Sequence, residues 1–485
     1  MGRSILSASL VRPVWQHGSF RIEGPDEDPF TLAVSALNRL GEQVPIDGTR
    51  ALQRLHLVGA TSPDLDWAYG EALGSSALEV QHHPANTQGL WGALGAAAQE
   101  EGSPRREAVV AVDSATTRAD GTVLRQPLHG AGAAAFVLGQ EPGLAVLRHG
   151  FLGHPPGRLP SMKGLIHDWL EALGLPTTSG RGEVVFAAED DLARWQTAWE
   201  DSAPGVTVTF PERAPPHLGP APTIRAAFLL WELARRLRTG RTGAVVEATR
   251  GGRAFAGFRL DGPVRWLGNW GETAPGLEPP NERFFERAAG VEAVSQGAYV
   301  PHPRYVENLS SRWRLVGERC PQCRALGFPA RGRCRSCGRS EGLQPEAFPR
   351  TRLQVEAVTS ISPGAQPTEF DSIVAAAGGY DVAVVRLGVG TRATVQVTDT
   401  PAGHLRVGDR VDLVLRRLYP MEGEWRYGLK AVPEGLGAGA WQSESGPTSS
   451  VPPVRRPPSS SAPRGSRSTP HRPGARPATR YRRAR

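Results

Sequence analysis

Residues 108–114 read AVVAVDS and residues 244–250 read AVVEATR. Each is a short apolar run carrying one acid near its end (Asp113, Glu247). Each is followed by a second apolar run, GAGAAAFVLG at 130–139 and AFAGFRL at 254–260. Uninterrupted apolar segments of this length are strands covered on both faces, as in a sheet enclosed by helices. Working outward, the two stretches sit at the same place in a repeated pattern. RSILSASLV (3–11) is answered by LAVLRHGFL (144–152), and FTLAVSALNRLG (30–41) by PSMKGLIHDWLEALG (160–174). LHLVGA (55–60) is answered by EVVFAA (183–188), and TQGLWGALGAAAQ (87–99) by TIRAAFLLWELARRLRTG (223–240). The repeat predicts an α/β fold over 1–262, made of two β-α-β-α-β-β halves. A single doubly wound sheet without duplication is the alternative.

The chain has 485 residues, room for about three domains. Gly (57) and Pro (43) are frequent enough to predict many turns and an unstructured segment. No window approaches the roughly 18 apolar residues of a membrane helix, and Ile5–Val11 runs into Arg12 without a signal-like exit. The formal charge of +8 is local. Residues 451–485 carry +10 from ten Arg, residues 312–339 carry +7, and the remainder is therefore at −9. Attraction to polyanions belongs to two short pieces, and the folded bulk is mildly acidic.

Residues 263–300, with one short helix at 281–290, read as a connector. Residues 301–342 hold every cysteine, and 343–435 turn to five strands separated by Gly, Pro and Asp turns: RLQVEAVTSIS, YDVAVVRLG, TRATVQVT, DRVDLVLRR and EWRYGLKAV. They predict a small barrel of the OB type. Residues 436–485 are Arg, Pro and Ser without periodicity, the composition of a disordered tail.

The four cysteines form two C-x2-C knuckles, Cys320–Cys323 and Cys334–Cys337, ten residues apart. Four thiolates at that spacing make a tetrahedral zinc site with no open position, so the metal is structural; a redox dithiol pair is the other reading. No cysteine is left for disulfides, which suits a reducing cytoplasm. Six arginines surround the knuckles (Arg319, Arg324, Arg331, Arg333, Arg335, Arg339). They either cradle phosphates of a nucleotide-like ligand or form a solvated face.

A cysteine ribbon with Trp313 before it and Phe328-Pro329 inside it, followed by a barrel carrying VGDRVDL (407–413), resembles the zinc-ribbon/OB-fold proteins that accompany acyl-CoA enzymes. Residues 1–262 resemble the thiolase superfamily, nearest to hydroxymethylglutaryl-CoA synthase. That similarity lies in GPDEDPFTLAVSAL (24–37), in AVVAVDS with GAGAAAFVLG, and in LGPAPTIRAA (218–227) with AVVEATRGGRAFAGF (244–258). The resemblance implies acyl-CoA as ligand, with Arg319, Arg331 and Arg333 as phosphate contacts. It also implies a thiolase or acyl-CoA synthase-type partner, and homo- or hetero-oligomers formed through the first domain.

The family's chemistry uses a cysteine nucleophile, an activating histidine and a proton-moving glutamate. Here the nucleophile's place falls near Asn86-Thr87-Gln88, the histidine's near Ala187-Ala188 and the glutamate's near Ser62. The GNTG-like segment reads Gly219-Pro220-Ala221-Pro222. Thr87 with His82 or His83, the pair Asp113 and Glu247, and His129 are the remaining candidates, each with a bland structural reading beside it. The expectation is an acyl-CoA-binding accessory or scaffold subunit of a thiolase-type carbon–carbon bond-forming or -cleaving complex. One alternative is a cysteine-independent acyl-CoA aldolase or lyase; relatives of that kind use tyrosines, and Tyr69 is the only one before residue 263. The other is a nucleic-acid-binding ribbon and barrel, for which the barrel aromatics are few (Tyr380, Trp425, Tyr427) and the tail offers only nonspecific charge.

Overall fold

The computed structural model describes residues 3–11, 13–17, 20–41, 52–59, 61–84, 87–99, 105–115, 131–140, 145–153, 161–172, 182–188, 192–202, 206–209, 243–248, 254–261, 266–267, 277–278, 300–421 and 424–434. The first half contains β1 (Arg3–Val11), the hairpin β2 (Trp15–His17) and β3 (Phe20–Ile22), and α1 (Pro29–Gly41). It continues through β4 (Leu52–Gly59), α2 (Asp66–Leu73), β5 (Glu79–His83), α3 (Thr87–Gln99), β6 (Arg106–Asp113) and β7 (Gly132–Gly139). The second half follows with β8 (Ala145–Gly153), α4 (Met162–Ala172), β9 (Gly182–Ala188), α5 (Leu192–Ser202), β10 (Val206–Thr209), β11 (Gly243–Ala248) and β12 (Ala254–Asp261).

These strands lie in one sheet, in the order β10-β9-β11-β12-β8-β1-β7-β6-β4-β5. Set the hairpin aside and number the five sheet strands of each half in chain order. Both halves then run third-second-fourth-fifth-first, with the fifth antiparallel to its neighbours. The halves meet where β1 and β8 pair antiparallel, Ile5 opposite Ala145. The duplicated organisation expected from the repeat is present among the described residues, its two halves joined in one continuous sheet. Each half gains one strand over the expected pattern: β5 and β10 stand at the two ends of the sheet. Their sequences, EVQHH and VTVT, lack the long apolar run that marks the central strands, because an edge strand has only one neighbour and less cover. The helix expected at 223–240 lies outside the described residues.

The first half is built around two strands buried along their whole length, β6 and β7. α1 covers them with Phe30, Leu32, Val34, Ala36, Leu37 and Leu40. Asp28 caps that helix: the Thr31 N–H donates to its Oδ1 at 2.8 Å, and the Asp28 N–H donates back to Thr31 Oγ1 at 2.9 Å. The connector contributes to the sheet through β13 (Trp266–Leu267), parallel to β1, and through a bridge from Leu277 to Trp15. Its helix expected at 281–290 lies outside the described residues, as does the tail.

Two short helices, α6 (His302–Glu307) and α7 (Leu309–Arg314), lead into the ribbon strands β14 (Val316–Arg319), β15 (Leu326–Gly327) and β16 (Gln344–Ala347). β14 is central, so the ribbon runs on to Ala347. All five barrel strands expected from the sequence are present: β17 (Leu353–Ile361), then, after α8 (Asp371–Ala377), β18 (Tyr380–Gly388), β19 (Thr391–Gln396), β20 (Arg410–Met421) and β21 (Glu424–Pro433). Their order is β19-β18-β17-β20-β21, and a parallel bridge from Val397 to Ala431 joins the two ends into a barrel. Leu315 and Phe348 at the ribbon's two ends pack into the barrel core, so ribbon and barrel share one interior.

Candidate functional site

The two knuckles are built alike. The Cys320 N–H donates to the Ala325 carbonyl at 3.0 Å, and the Cys334 N–H to that of Arg339 at 2.7 Å. Each turn closes with an N–H returning to the first cysteine's carbonyl, from Arg324 and from Gly338, both at 3.0 Å. Both closing residues are left-handed, φ 60° and 78°. Glycine takes that conformation freely, whereas Arg324 pays for its side chain. Glu318 ties the loop between the knuckles, accepting the N–H groups of Arg331 and Gly332.

The four sulfurs lie within 4.8 Å of one another, with Cys320–Cys337 at 3.6 Å and Cys323–Cys334 at 3.5 Å. A zinc–sulfur bond of about 2.3 Å places tetrahedral sulfurs about 3.8 Å apart, so the cluster fits zinc. Backbone N–H groups of Cys337 and Ser336 push the Cys334 thiol down to about 6, and that of Cys323 lowers Cys320. Those thiols are prepared to bind as thiolates. Bound there, zinc supplies closure of the ribbon and offers no coordination position for chemistry.

Two of the three arginines expected to hold phosphates make contacts within the ribbon. Arg319 pairs with Glu346 across β14 and β16, with Nε 3.1 Å from Oε2. Arg333 Nε donates to the Gly338 carbonyl at 3.0 Å, and Arg331 is exposed. None of the three lines a cleft of about 600 Å³ between α7, the Phe328-Pro329 turn and the barrel strands β19 to β21. Its walls include Phe328, Phe370, Leu418 and Leu429, and its polar lining includes Arg312 and Gln396.

The module of ribbon and barrel is seated on the α/β domain by a buried ionic seam. The loop before α1 presents Asp26, Glu27 and Asp28; β20 and β21 present Arg416, Arg417, Tyr427 and Lys430. Lys430 Nζ lies 2.8 Å from Asp26, Arg416 2.8 Å from Glu27 and 3.0 Å from Asp399, and Arg417 2.7 Å from Asp28. The Tyr427 hydroxyl also donates to Asp28 at 2.8 Å. Burial pushes the Asp28 carboxyl up, but the Arg417 guanidinium and the Thr31 N–H overcome it and hold the group below its usual range. Glu27 goes the other way: burial outweighs Arg416, and its carboxyl is pushed up to about 8. Around the seam Trp313 and Tyr305 close over Tyr427, whose carbonyl accepts from Trp313 Nε1 at 3.0 Å. The motif GPDEDPF was legible as a resemblance; its role as a dock was not.

In the α/β domain, His82 is held by Asp66 at 2.7 Å and Thr61 at 3.0 Å. His83 lies 3.1 Å from His56, and His56 lies 3.2 Å from the buried Glu107. Burial, with His56 and His82 nearby, pushes His83 down to about 4. Both histidines named as partners for Thr87 are thus engaged elsewhere, His82 by Thr61 and the start of α2 and His83 in a cross-strand network. The chain Glu107–His56–His83 was not foreseen; the alternation of His56 and Glu107 with apolar neighbours on adjacent strands was its only trace. Ser62 caps the turn before α2. Asp113 is buried beside Glu23, and burial followed by that carboxylate raises its carboxyl well above the usual range. Tyr69 is buried against Phe30, its rings 4.9 Å apart, and burial raises its hydroxyl far above the ordinary value; it is a core residue. Asn86, His129 and residues 219–222 lie outside the described residues, as do the side chains of Thr87, Ala187, Ala188 and Glu247. In the barrel, Tyr380 and Tyr427 are buried and Trp425 lies under Arg417 at 4.8 Å, so these three form no open stacking face.

No family model matches the chain. Two curated relatives match it over about a quarter of its length, both described as DUF35 domain-containing scaffold proteins. One, from Methanothermobacter thermautotrophicus, is 31% identical over 131 residues and is covered over 92% of its length. The other, from Methanocaldococcus jannaschii, is 26% identical over 129 residues and covered over 86%. Among solved structures, 3-oxoacyl-[acyl-carrier-protein] synthase III from Aquifex aeolicus overlaps 54% of this chain and 100% of its own, at 15% identity and a TM-score of 0.37. The Bacillus HMG-CoA synthase PksG overlaps 54% and 80%, at 14% identity and 0.38. Overlaps of that quality assign no function.

Proposed function

The chain belongs to the DUF35 domain-containing family, and on that footing we propose that it is an accessory or scaffold subunit of a thiolase-type carbon–carbon bond-forming or -cleaving complex, binding acyl-CoA. The observation that carries the reading is the seam. A module of the scaffold family is locked by the buried ion pairs Arg417–Asp28 and Lys430–Asp26 onto an α/β domain of thiolase-like organisation, within one chain. All four thiols of the sequence stand in the ribbon, so no acyl-cysteine can form in the α/β domain and a partner must bring that nucleophile. Fixing a second enzyme beside this surface keeps a thioester at high effective concentration between sites.

Affinity purification of the tagged chain from its source organism tests this. Recovery of a stoichiometric partner bearing a thiolase-type cysteine is expected. A chain recovered alone that releases ketone or aldehyde from hydroxyacyl-CoA would replace this reading with the lyase one.

A further inference from the structure

We propose that the α/β domain carries a hydrolytic site for carboxylic esters, with Thr61 as nucleophile, His82 as its base and Asp66 as the residue that positions the base. The three meet at the carboxyl ends of the parallel strands β4 and β5. In open α/β sheets, ligands bind outside the carboxyl ends of the strands. β4 leaves the sheet at Gly59, φ 149°, where a Cβ would come 2.5 Å from the Val112 carbonyl oxygen. Beyond that bend Thr61 stands beside His82. The turn capped by Ser62 then brings Asp66, the first residue of α2, to the other side of the ring.

The hydrogen bonds fix the roles. His82 Nε2 lies 2.7 Å from Asp66 Oδ1, and His82 Nδ1 lies 3.0 Å from Thr61 Oγ1. A carboxylate only accepts, so Nε2 carries the ring proton. Nδ1 is then bare, and the Thr61 hydroxyl donates to it. Nucleophile, base and orienting acid stand in the order used for acyl transfer, with the two ring nitrogens exchanged. Ser62 does not compete for the role, because its hydroxyl donates to Asp64 Oδ2 at 3.3 Å. Its N–H, next along the chain from the nucleophile, has no acceptor among the described residues and is open to a developing oxyanion. The His82 and Asp66 side chains are 25% and 39% exposed, so an ester reaches them without the fold opening.

In the first step Thr61 Oγ1 attacks the ester carbonyl carbon while its proton passes to His82 Nδ1. The bond to the alcohol oxygen breaks, that oxygen takes the proton from His82, and the acyl group stays on Thr61. Water then attacks the acyl carbon and gives a proton to His82 Nδ1. The Thr61 oxygen takes that proton back as the acid departs, so ester and water become acid and alcohol. The acyl group is not retained, so Thr61 does not replace the missing cysteine, and the inference stands apart from the scaffold reading.

The test uses the zinc-loaded full chain. An alkyl fluorophosphonate, which phosphonylates a base-activated hydroxyl with loss of fluoride, is expected to add one group per chain, mapped by peptide analysis to Thr61. The parent chain should hydrolyse p-nitrophenyl acetate. Thr61→Val and His82→Gln should each lower kcat about a hundredfold or more, and Thr61→Ser should retain turnover. Asp66→Asn should slow phosphonylation while its end point stays at one group per chain; a variant that merely unfolds lowers the end point instead. Labelling of the parent decides the matter if the variants unfold. If the parent stays unlabelled or is labelled elsewhere, or if Thr61→Val hydrolyses the ester as fast as the parent, the three residues only tie β4, β5 and α2 together and the inference falls. Capture of a cysteine-bearing partner tests the scaffold reading separately.

Discussion

The ribbon and the seam hold the same module by opposite means. The ribbon is local: four thiols within 18 residues, twin turns and a metal with nothing else to bind. The seam is remote: Asp28 meets Arg417 and Tyr427 across nearly four hundred residues. A ribbon without its ion has too little core to fold, whereas a seam that loses one partner leaves a folded domain with a stranded buried charge. The first failure should therefore be local and complete, the second graded and spread over the junction.

That contrast orders the expected effects. Cys334→Ser, or strong chelation, should unfold the ribbon outright, seen as loss of bound zinc together with protease cleavage between residues 320 and 347. Asp28→Ala should follow, costing about 3–5 kcal/mol because it strands Arg417 in a buried setting; chemical denaturation of the zinc-loaded chain measures it. Arg417→Met in the same background should recover part of that loss, since a neutral pair removes the stranded charge. If the two changes were simply additive, the seam would not be a coupled pair.

The pH profile separates the two carboxyls. A folded Glu27 with its pKa raised to about 8 favours the protonated form, so its contribution is full below the unfolded value of about 4.3 and is lost as pH rises through 8. Stability should decline from about pH 5 to 8 and level off above, and Glu27→Gln should flatten that slope. Asp28, held low, contributes above its unfolded value and loses its contribution only as pH falls through the lower folded one. A melting profile flat from pH 5 to 9 in the parent chain would break this assignment. The smallest effect belongs to Glu307→Ala: its pair with Arg304 joins two exposed side chains, and the melting temperature should not move beyond error.

What the sequence disclosed follows the same line. The four cysteines, the central strands and the five barrel strands are written in local spacing, and each was legible. β5 and β10 were hidden because edge strands need no long apolar run. The seam was hidden because nothing local to Asp26, Glu27 and Asp28 names their partners on β20 and β21, nearly four hundred residues away. Arg319, Arg331 and Arg333 stand out in sequence as a cluster beside the knuckles, whereas the polar lining of the cleft, Arg312 on a short helix and Gln396 on a strand among it, is joined only by packing.

The account turns on an α/β domain that holds no thioester of its own. Intact-mass measurement of the zinc-loaded chain after incubation with acetyl-CoA tests it most directly. An unchanged protein mass is predicted, with acylation found on the partner when the two are mixed. One acyl group per chain, mapped by peptide analysis to residues 1–262, would contradict it.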